Sequence, residues 1–229
     1  MNAATQRESV RPAPSPAEVM TSSPKIIGML SVVSLVCGLL IVSVAQITAE
    51  PISRNLSVIM RDAVMELLPG TEQQVIYSVG KDGELTVTES TEGTQPKFFA
   101  AYDGQGALLG VVIEGDGLGY GGPIKALFAY APDRQAIVGM KILDLKETPG
   151  LGDKVVTDEA FQENFTELDA SLANPIVTVR HGKKSNPWEI DAVSGATVSS
   201  KAIGRMANQS AQTLVPVITR NLERIKGGK

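Results

Sequence analysis

The sequence has few of the residues that usually build a metal or disulfide site. Its 229 residues include one cysteine, Cys37, and one histidine, His181. A single cysteine excludes a disulfide within the chain and a Cys-x-x-Cys redox or haem-attachment motif. An isolated histidine in a polar loop is more typical of a solvated side chain than of a metal ligand. If the protein takes part in redox chemistry, its redox group must therefore be organic or belong to a partner.

An excess of basic residues is also missing. The chain has 21 Lys and Arg against 25 Asp and Glu, which gives a formal net charge of -4. The first 25 residues carry a small positive charge, so the rest of the chain is more acidic still. No basic stripe is available for a phosphodiester backbone, and we expect no nucleic-acid partner.

One long stretch contains no charged residue. Residues 26–48 are almost entirely apolar, and the nearest charges are Lys25 and Glu50. At about 1.5 Å per residue, such a helix crosses a hydrocarbon core of roughly 30 Å. We interpret 26–48 as a single transmembrane helix. A cleaved signal peptide is the alternative, because residues 47–49 resemble a cleavage site, but its apolar region would be shorter and nearer the first methionine.

The flanks of this span predict its orientation. Residues 1–25 are rich in Pro, Ala, Ser and Thr and are expected to form a disordered leader. Basic residues before the span outnumber those just after it, which favours a cytoplasmic N-terminus in the inner membrane. The domain over residues 51–229 would then lie on the extracytoplasmic, periplasmic side. The residues counted are Arg7, Arg11 and Lys25 before the span and Arg54 and Arg61 after it.

Beyond the span, the hydrophobic pattern predicts an α+β domain. A new helix can begin at Pro51, and its apolar face is expected to cover a sheet rather than to lie in the membrane. Alternating segments then predict antiparallel hairpins that combine into a sheet with flanking helices. The predicted strands are 75–79, 84–88, 98–102, 108–113, 124–130 and 136–143.

The C-terminal part mixes helix and strand patterns. Residues 158–168 are predicted to form a helix capped by Thr157, and 176–180 to form a strand. Apolar residues at helical spacing from Ile203 onwards predict a final helix that Pro216 bends or interrupts.

The stretch that leads into this final helix is unusual. Residues 191–200 read Asp-Ala-Val-Ser-Gly-Ala-Thr-Val-Ser-Ser. Small residues leave a turn open, and the unpaired N–H groups and positive end of a helix favour a phosphate. Thr197 would place a hydroxyl in such a pocket. Alternatively, the hydroxyl residues between Ser194 and Ser199 only cap the helix, and the stretch by itself leaves both interpretations open.

Two other segments are rich in glycine. Residues 117–123 precede a predicted strand, and residues 146–154 follow one. Glycine lets a backbone approach a flat ligand, and Tyr120 or Leu151 would supply a face for a ring. Alternatively, each segment is an ordinary loop that turns because it contains Gly and Pro. The first segment matches the G-x-G-x-x-G spacing of dinucleotide-binding sites, but no βαβ unit surrounds it.

Taken together, these segments resemble a known family. The chain is similar to the FMN-binding domain of the G subunit of Rnf electron-transport complexes, a close relative of the C subunit of the sodium-translocating NADH:quinone reductase. The resemblance covers roughly residues 26–215. It rests on two motifs in a fixed order, with Gly119-Tyr120-x-Gly122 upstream: Glu147-Thr148-Pro149-Gly150-Leu151-Gly152 and Asp191-x-x-Ser194-Gly195-Ala196-Thr197.

The resemblance implies covalent FMN. A flavin transferase that recognises Asp191 would take FMN from FAD with a divalent metal and join it by a phosphoester to Thr197. The loop 147–152 would contact the isoalloxazine ring, and Ser194 and Lys201 would stabilise the phosphate. Trp188 is either a second stacking residue or part of the core. The candidate FMN-binding residues are Tyr120, Glu147, Thr148, Pro149, Gly150, Leu151, Gly152, Trp188, Asp191, Ser194, Gly195, Ala196, Thr197 and Lys201.

The function implied is that of an electron relay without a complete reaction of its own. Such a protein works with integral-membrane and iron-sulfur or flavin subunits that couple ferredoxin and NAD oxidoreduction to ion transport. The C subunit of the quinone reductase is one alternative, although those subunits tend to be longer. A membrane-anchored binding or assembly protein without flavin is another, but Thr197 argues against it because such a protein would be free to lose this residue.

Overall fold

Helix α1, Pro16–Leu67, contains the long apolar stretch. The structure is a computed structural model, and it describes residues 16–80, 82–88, 95–147 and 149–228. Residues 1–15 of the predicted leader lie outside these ranges, whereas residues 16–25 are helical. The helix predicted to begin at Pro51 is not a separate element but part of α1, because the fixed φ of proline is compatible with a helix.

The predicted membrane span lies within α1. Residues Pro24–Thr48 are long and apolar enough to cross a membrane, judged by length and composition. No residue of the apolar window is buried inside the protein, so this is not the core helix of a soluble domain. The window lies in the first of two compact units, Met1–Ile52 and Ser53–Lys229.

The second unit is built on an antiparallel sheet of seven strands among the described residues. The strands are β1 (Gln73–Val79), β2 (Leu85–Thr88), β3 (Lys97–Tyr102), β4 (Leu108–Leu118), β5 (Pro123–Ala131), β6 (Ala136–Leu145) and β7 (Leu168–Asp169). Their order across the sheet is β2-β1-β3-β4-β5-β6-β7. The predicted hairpins β1–β2, β3–β4 and β5–β6 are confirmed.

Both faces of this sheet are buried, because apolar residues occupy successive positions along its strands. Phe98 belongs to one hydrophobic cluster, which includes residues of helix α4 (Thr197–Arg220). Phe99 belongs to the other, which includes Met60 and Val64 of α1. The sheet therefore lies between two helical layers, which confirms the predicted α+β class. On the α4 side, the Tyr102 hydroxyl also donates to the carbonyl of Ile225 at 2.6 Å, in helix α5 (Leu222–Lys226).

The helix predicted over 158–168 is much shorter than expected. After the single turn α2 (Lys154–Thr157), helix α3 covers only Glu159–Glu163. Its cap is Asp158 rather than Thr157, with the carboxylate accepting the Phe161 N–H at 3.0 Å. The buried Asn164 amide donates to the Phe161 carbonyl at 3.0 Å, so a side chain occupies the acceptor that a further helical turn would use.

The strand predicted at 176–180 forms as β8, Val177–Val179. It pairs in parallel with β9, Glu189–Asp191, which the sequence did not predict. Helix α4 continues past Pro216 to Arg220, so of the two predicted effects of this proline, a bend or an interruption, the interruption is wrong. Leu214, Val215 and Ile218 are buried on both sides of Pro216 and hold the helix on the sheet.

Candidate functional site

The turn between β9 and α4 places Thr197 on the surface. Ala192 and Val193 are buried, whereas Ser194 and Gly195 are exposed. Gly195 has a φ of +85°, in the left-handed region that glycine adopts without strain. The chain then enters α4, whose first residue is Thr197.

The structure does not use the hydroxyls of this turn as a helix cap. The N-cap of α4 is Ala196, and no side chain makes a capping hydrogen bond there. Thr197 is exposed, and its hydroxyl makes no hydrogen bond to a described residue. The N–H groups of Thr197, Val198 and Ser199 have no backbone acceptor within the described ranges. A free hydroxyl thus lies beside several free donors, an arrangement that favours an anion.

Ser200 fixes the turn in place. Its side chain is fully buried. The hydroxyl accepts the Val193 N–H at 3.1 Å and donates to the Ala196 carbonyl at 2.9 Å. The hydroxyl of Ser200 therefore supports the backbone of the turn, whereas the hydroxyl of Thr197 makes no hydrogen bond to a described residue. The spacing of the sequence did not reveal this difference.

The Glu147 carboxylate brings the three unusual segments together. Its Oε1 accepts the Tyr120 N–H and the Ser199 hydroxyl, each at 2.7 Å. Its Oε2 accepts the Gly121 N–H at 2.9 Å. The two glycine-rich loops and the beginning of α4, which are far apart in sequence, therefore meet at one side chain.

Glycine is needed where these loops approach Glu147. A Cβ on Gly152 would lie 2.5 Å from Glu147 Oε2, and one on Gly121 would lie 2.7 Å from the Lys146 carbonyl oxygen. A Cβ on Gly119 would overlap Glu147 Oε1. Real Cβ atoms do not make such contacts, so any larger residue would displace the Glu147 side chain or the loops.

Apolar side chains on the same three segments face solvent. Tyr120 is 76% exposed, Leu151 53% and Val198 49%. Clustered exposed apolar side chains around a few polar groups suit a flat aromatic ligand. Pro149 and Gly150 are also exposed beside Leu151. Thr148, predicted to hydrogen-bond the ring, lies outside the described residues.

The side chain and the backbone of Asp191 are hydrogen-bonded to neighbouring residues of the protein. Its carboxylate accepts the Gly182 N–H at 2.9 Å, and His181 Nδ1 lies 3.7 Å from its Oδ2. Its backbone N–H donates to Oδ1 of Asn164 at 2.9 Å. Asn164 is buried and also accepts from Lys184 Nζ at 3.1 Å. Sequence analysis missed Asn164, which supports the strand that enters the turn.

Two lysines flank the turn. Lys201 is exposed on α4, four residues after Thr197. Lys154 was not predicted, yet its Nζ lies 3.9 Å from the position that a Cβ on Gly195 would take. Nothing in the spacing of the sequence connects Lys154 with the motif, because the fold alone brings α2 to this turn.

Trp188 lies outside the group of residues joined at Glu147. It precedes β9, where its carbonyl accepts the Val177 N–H at 3.2 Å. Its side chain is partly buried. The hydrogen bonds that join the three segments within the described ranges do not include it, and its stacking role stays a prediction.

The residues at this site fit FMN. The free Thr197 hydroxyl and neighbouring N–H groups suit a phosphoester, and the exposed apolar side chains suit the ring. Asp153 Oδ1 is buried and has no hydrogen-bond partner among the described residues. A buried carboxylate oxygen of this kind requires a donor, which a hydroxyl or N–H of a ligand can provide.

The comparisons with known proteins agree with this fit. The FMN-binding domain family matches residues 119–212. The chain is 30% identical over 195 residues to the G subunit of the ion-translocating oxidoreductase complex of Cereibacter sphaeroides, covering 84% of each chain. It is 29% identical over 189 residues to the protein of the same name from Methanosarcina acetivorans, covering 78% of this chain and 87% of the relative.

A solved structure shows the same fold. It is the C subunit of the Na(+)-translocating NADH-quinone reductase from Parabacteroides distasonis, with a TM-score of 0.54 and 22% identity. The match covers 65% of this chain and 78% of that one. From the site and the sequence relatives together, the chain belongs to the family of G subunits of Rnf-type, ion-translocating oxidoreductase complexes and contains its FMN-binding domain.

Proposed function

We propose that this chain is an electron-relay subunit of a membrane-bound Rnf-type complex and carries FMN joined by a phosphoester to Thr197. The observation that supports this most is the exposed Thr197 hydroxyl, which has no hydrogen bond to a described residue at the first position of α4. FMN, when bound, supplies electron transfer in one- or two-electron steps. The protein contributes position and local electrostatics, so no acid–base side chain is needed.

Attachment is a group transfer from FAD that a flavin transferase catalyses with a divalent metal. The Thr197 Oγ–P bond forms, the pyrophosphate bond of FAD breaks, AMP leaves and the hydroxyl loses its proton. The product keeps one negative charge on the phosphate. The free N–H groups at the start of α4 would stabilise that charge, together with the ammonium groups of Lys154 and Lys201.

Covalent attachment is tested by expressing the full chain with its flavin transferase and viewing a denaturing gel under ultraviolet light. We expect a fluorescent band that Thr197→Ala abolishes. Thr213→Ala is the matched control, because Thr213 is exposed on the same helix and its hydroxyl donates to the Gln209 carbonyl. A missing band, or one that survives Thr197→Ala, would contradict the proposal and favour an anchored protein without covalent flavin.

We further propose that residues 26–48 anchor the protein in the cytoplasmic membrane and that its FMN domain faces the extracytoplasmic side. The apolar helix and the basic residues before it support this placement. In a Cys37→Ala background, a cysteine introduced at the exposed Lys183 reports the side. We expect the introduced cysteine to react with a reagent added on the extracytoplasmic side. Reaction only from the cytoplasmic side would contradict the proposed orientation.

The proposed partners are the other integral-membrane and iron-sulfur or flavin subunits of the complex, which links ferredoxin and NAD oxidoreduction to ion transport. The names of the relatives support this, since each is a G subunit of an ion-translocating oxidoreductase complex. Purifying the tagged chain from its native membrane should recover those subunits. Recovery of quinone-reductase subunits instead would assign the chain to the alternative complex.

A further inference from the structure

We infer that Glu147 is the positioning residue of the flavin site and holds three separate segments in the arrangement that faces the isoalloxazine ring. This inference rests on the function proposed above. Sequence analysis grouped Glu147 with residues that contact the ring. In the structure, its carboxylate is instead engaged with the protein itself.

Three donors from two other segments converge on this carboxylate. They are the Tyr120 N–H at 2.7 Å, the Gly121 N–H at 2.9 Å and the Ser199 hydroxyl at 2.7 Å. An ionised carboxylate offers about four lone-pair positions and makes short, charge-assisted hydrogen bonds. A carboxamide has a single acceptor oxygen, so glutamine cannot satisfy the same three donors.

Close packing leaves little room for another arrangement. Gly119 and Gly152 come from different loops, and a Cβ on either would collide with the Glu147 side chain. These glycines are therefore explained by the approach of the backbone to Glu147, without reference to a ligand. The two loops and the carboxylate form one interlocked unit.

Each of the three exposed apolar side chains belongs to, or adjoins, a residue that is hydrogen-bonded to Glu147 or lies against it. Tyr120 is held through its own N–H, Leu151 adjoins Gly152, and Val198 adjoins Ser199. Glu147 thus sets the spacing between these three side chains without having to contact the ring. It acts through other residues, which is why its role is positioning.

The test uses the full chain loaded with flavin by its transferase, in four forms: wild type, Glu147→Gln, Ser199→Ala and the double variant. Flavin loading is read from the gel for each form, and the spectrum and potential are compared per attached flavin. The visible circular dichroism and the midpoint potential of the attached flavin should shift strongly in Glu147→Gln and less in Ser199→Ala. The double variant should match Glu147→Gln, because Ser199 acts through that carboxylate.

Glu189→Gln is the matched control. The Glu189 carboxylate also accepts backbone N–H groups, from Ser185 at 2.7 Å and Asn186 at 3.1 Å, but these lie in a different loop. Its flavin spectrum and potential should equal those of wild type. Wild-type values in Glu147→Gln, or additive shifts in the double variant, would overturn the inference.

A flavin-free arm separates this inference from the proposed function. In the full chain made without transferase, hydrogen exchange at Tyr120 or Gly121 should be about tenfold faster or more in Glu147→Gln, because the amide group of glutamine replaces one of the two acceptor oxygens and the remaining hydrogen bond is no longer charge-assisted. If Glu147→Gln does not fold, the Ser199→Ala variant tests the same inference, and the flavin spectrum is measured. Absence of flavin from the wild-type protein would contradict the proposed function alone. Unchanged hydrogen exchange in Glu147→Gln would contradict the role of Glu147 alone.

Discussion

The Ser199 hydroxyl donates a hydrogen bond of 2.7 Å to Oε1 of Glu147, which lies 52 residues earlier in the chain. Ser199 is buried at the start of α4, two residues after Thr197. This bond ties the helix that presents the attachment residue to the loop expected to meet the ring. Changes on either side of the bond should therefore affect both segments.

Gly152→Ala should disturb the site from the loop side. The new Cβ would lie 2.5 Å from Glu147 Oε2 and 2.7 Å from its Cδ, so the side chain or the loop must move. We expect a loss of about 1–3 kcal/mol in the free energy of unfolding, as for other overpacked sites. Urea denaturation measures it. Gly80→Ala is the control, because its Cβ would meet its nearest neighbour at an ordinary 3.6 Å, and an equal loss there would contradict the explanation.

Gly204→Ala should destabilise the protein although it replaces glycine by alanine inside a helix. Such a change usually stabilises a helix by about 1 kcal/mol. Here the new Cβ would overlap Thr178 Oγ1 on β8 and lie 3.4 Å from Ile190 Cδ1 on β9. Denaturation should show a net loss of about 1–3 kcal/mol. Adding Thr178→Ala should restore part of the lost free energy of unfolding. If nothing is restored, the contact with Thr178 is not the cause of the loss.

Asn164→Ala should loosen the strand that leads to the motif. The change leaves the partly buried Asp191 N–H without its acceptor at 2.9 Å. A buried donor without a partner costs about 1–3 kcal/mol, and we expect a loss of about 1 kcal/mol here because the group is only partly buried. The loss should appear in the denaturation midpoint, and Asn174→Ala should show no such loss, because the Asn174 side chain has no hydrogen bond to a described residue. Equal denaturation midpoints for the two variants would show that Asn164 does not stabilise this strand.

Glu189 should titrate far below an ordinary glutamate. Hydrogen bonds to its carboxylate, first from the backbone N–H of Ser185 and then from the Asn186 side chain, lower its pKa from 4.5 to about 2. Because folding lowers this pKa, the stabilisation is complete above pH 4.5 and is lost as the pH falls through about 2. Carbon NMR of the carboxyl group measures the midpoint directly. A midpoint near 4.5, or an unchanged pH dependence of stability in Glu189→Gln, would contradict the prediction.

The sequence predicted the parts of the fold that depend on neighbouring residues. The hairpins β1–β2, β3–β4 and β5–β6 follow from alternation interrupted by turn residues, and the structure confirms them. The sequence-based predictions were wrong for elements whose ends depend on contacts with distant residues. The shortened α3 depends on the Asn164 side chain, and α4 passes through Pro216 because the sheet buries its neighbours.

The candidate site divides in the same way. The motif around Thr197 and the two glycine-rich loops could be identified from local composition and from their resemblance to a family. The hydrogen bonds that Tyr120, Gly121 and Ser199 donate to Glu147 span 27, 26 and 52 residues. The approach of Lys154 to Gly195 likewise needs the whole fold. No residue spacing encodes these contacts, so sequence reasoning grouped Glu147 with the ring contacts and missed Lys154.

Mass spectrometry of the tryptic peptide 185–201 shows whether FMN is attached to Thr197. This peptide also contains Ser185, Ser194, Ser199 and Ser200, so fragmentation must locate the modified residue. We expect the peptide to gain the mass of FMN less one water, with the added mass on Thr197. An unmodified peptide from protein made with an active transferase, or an added mass on one of the serines, would contradict it.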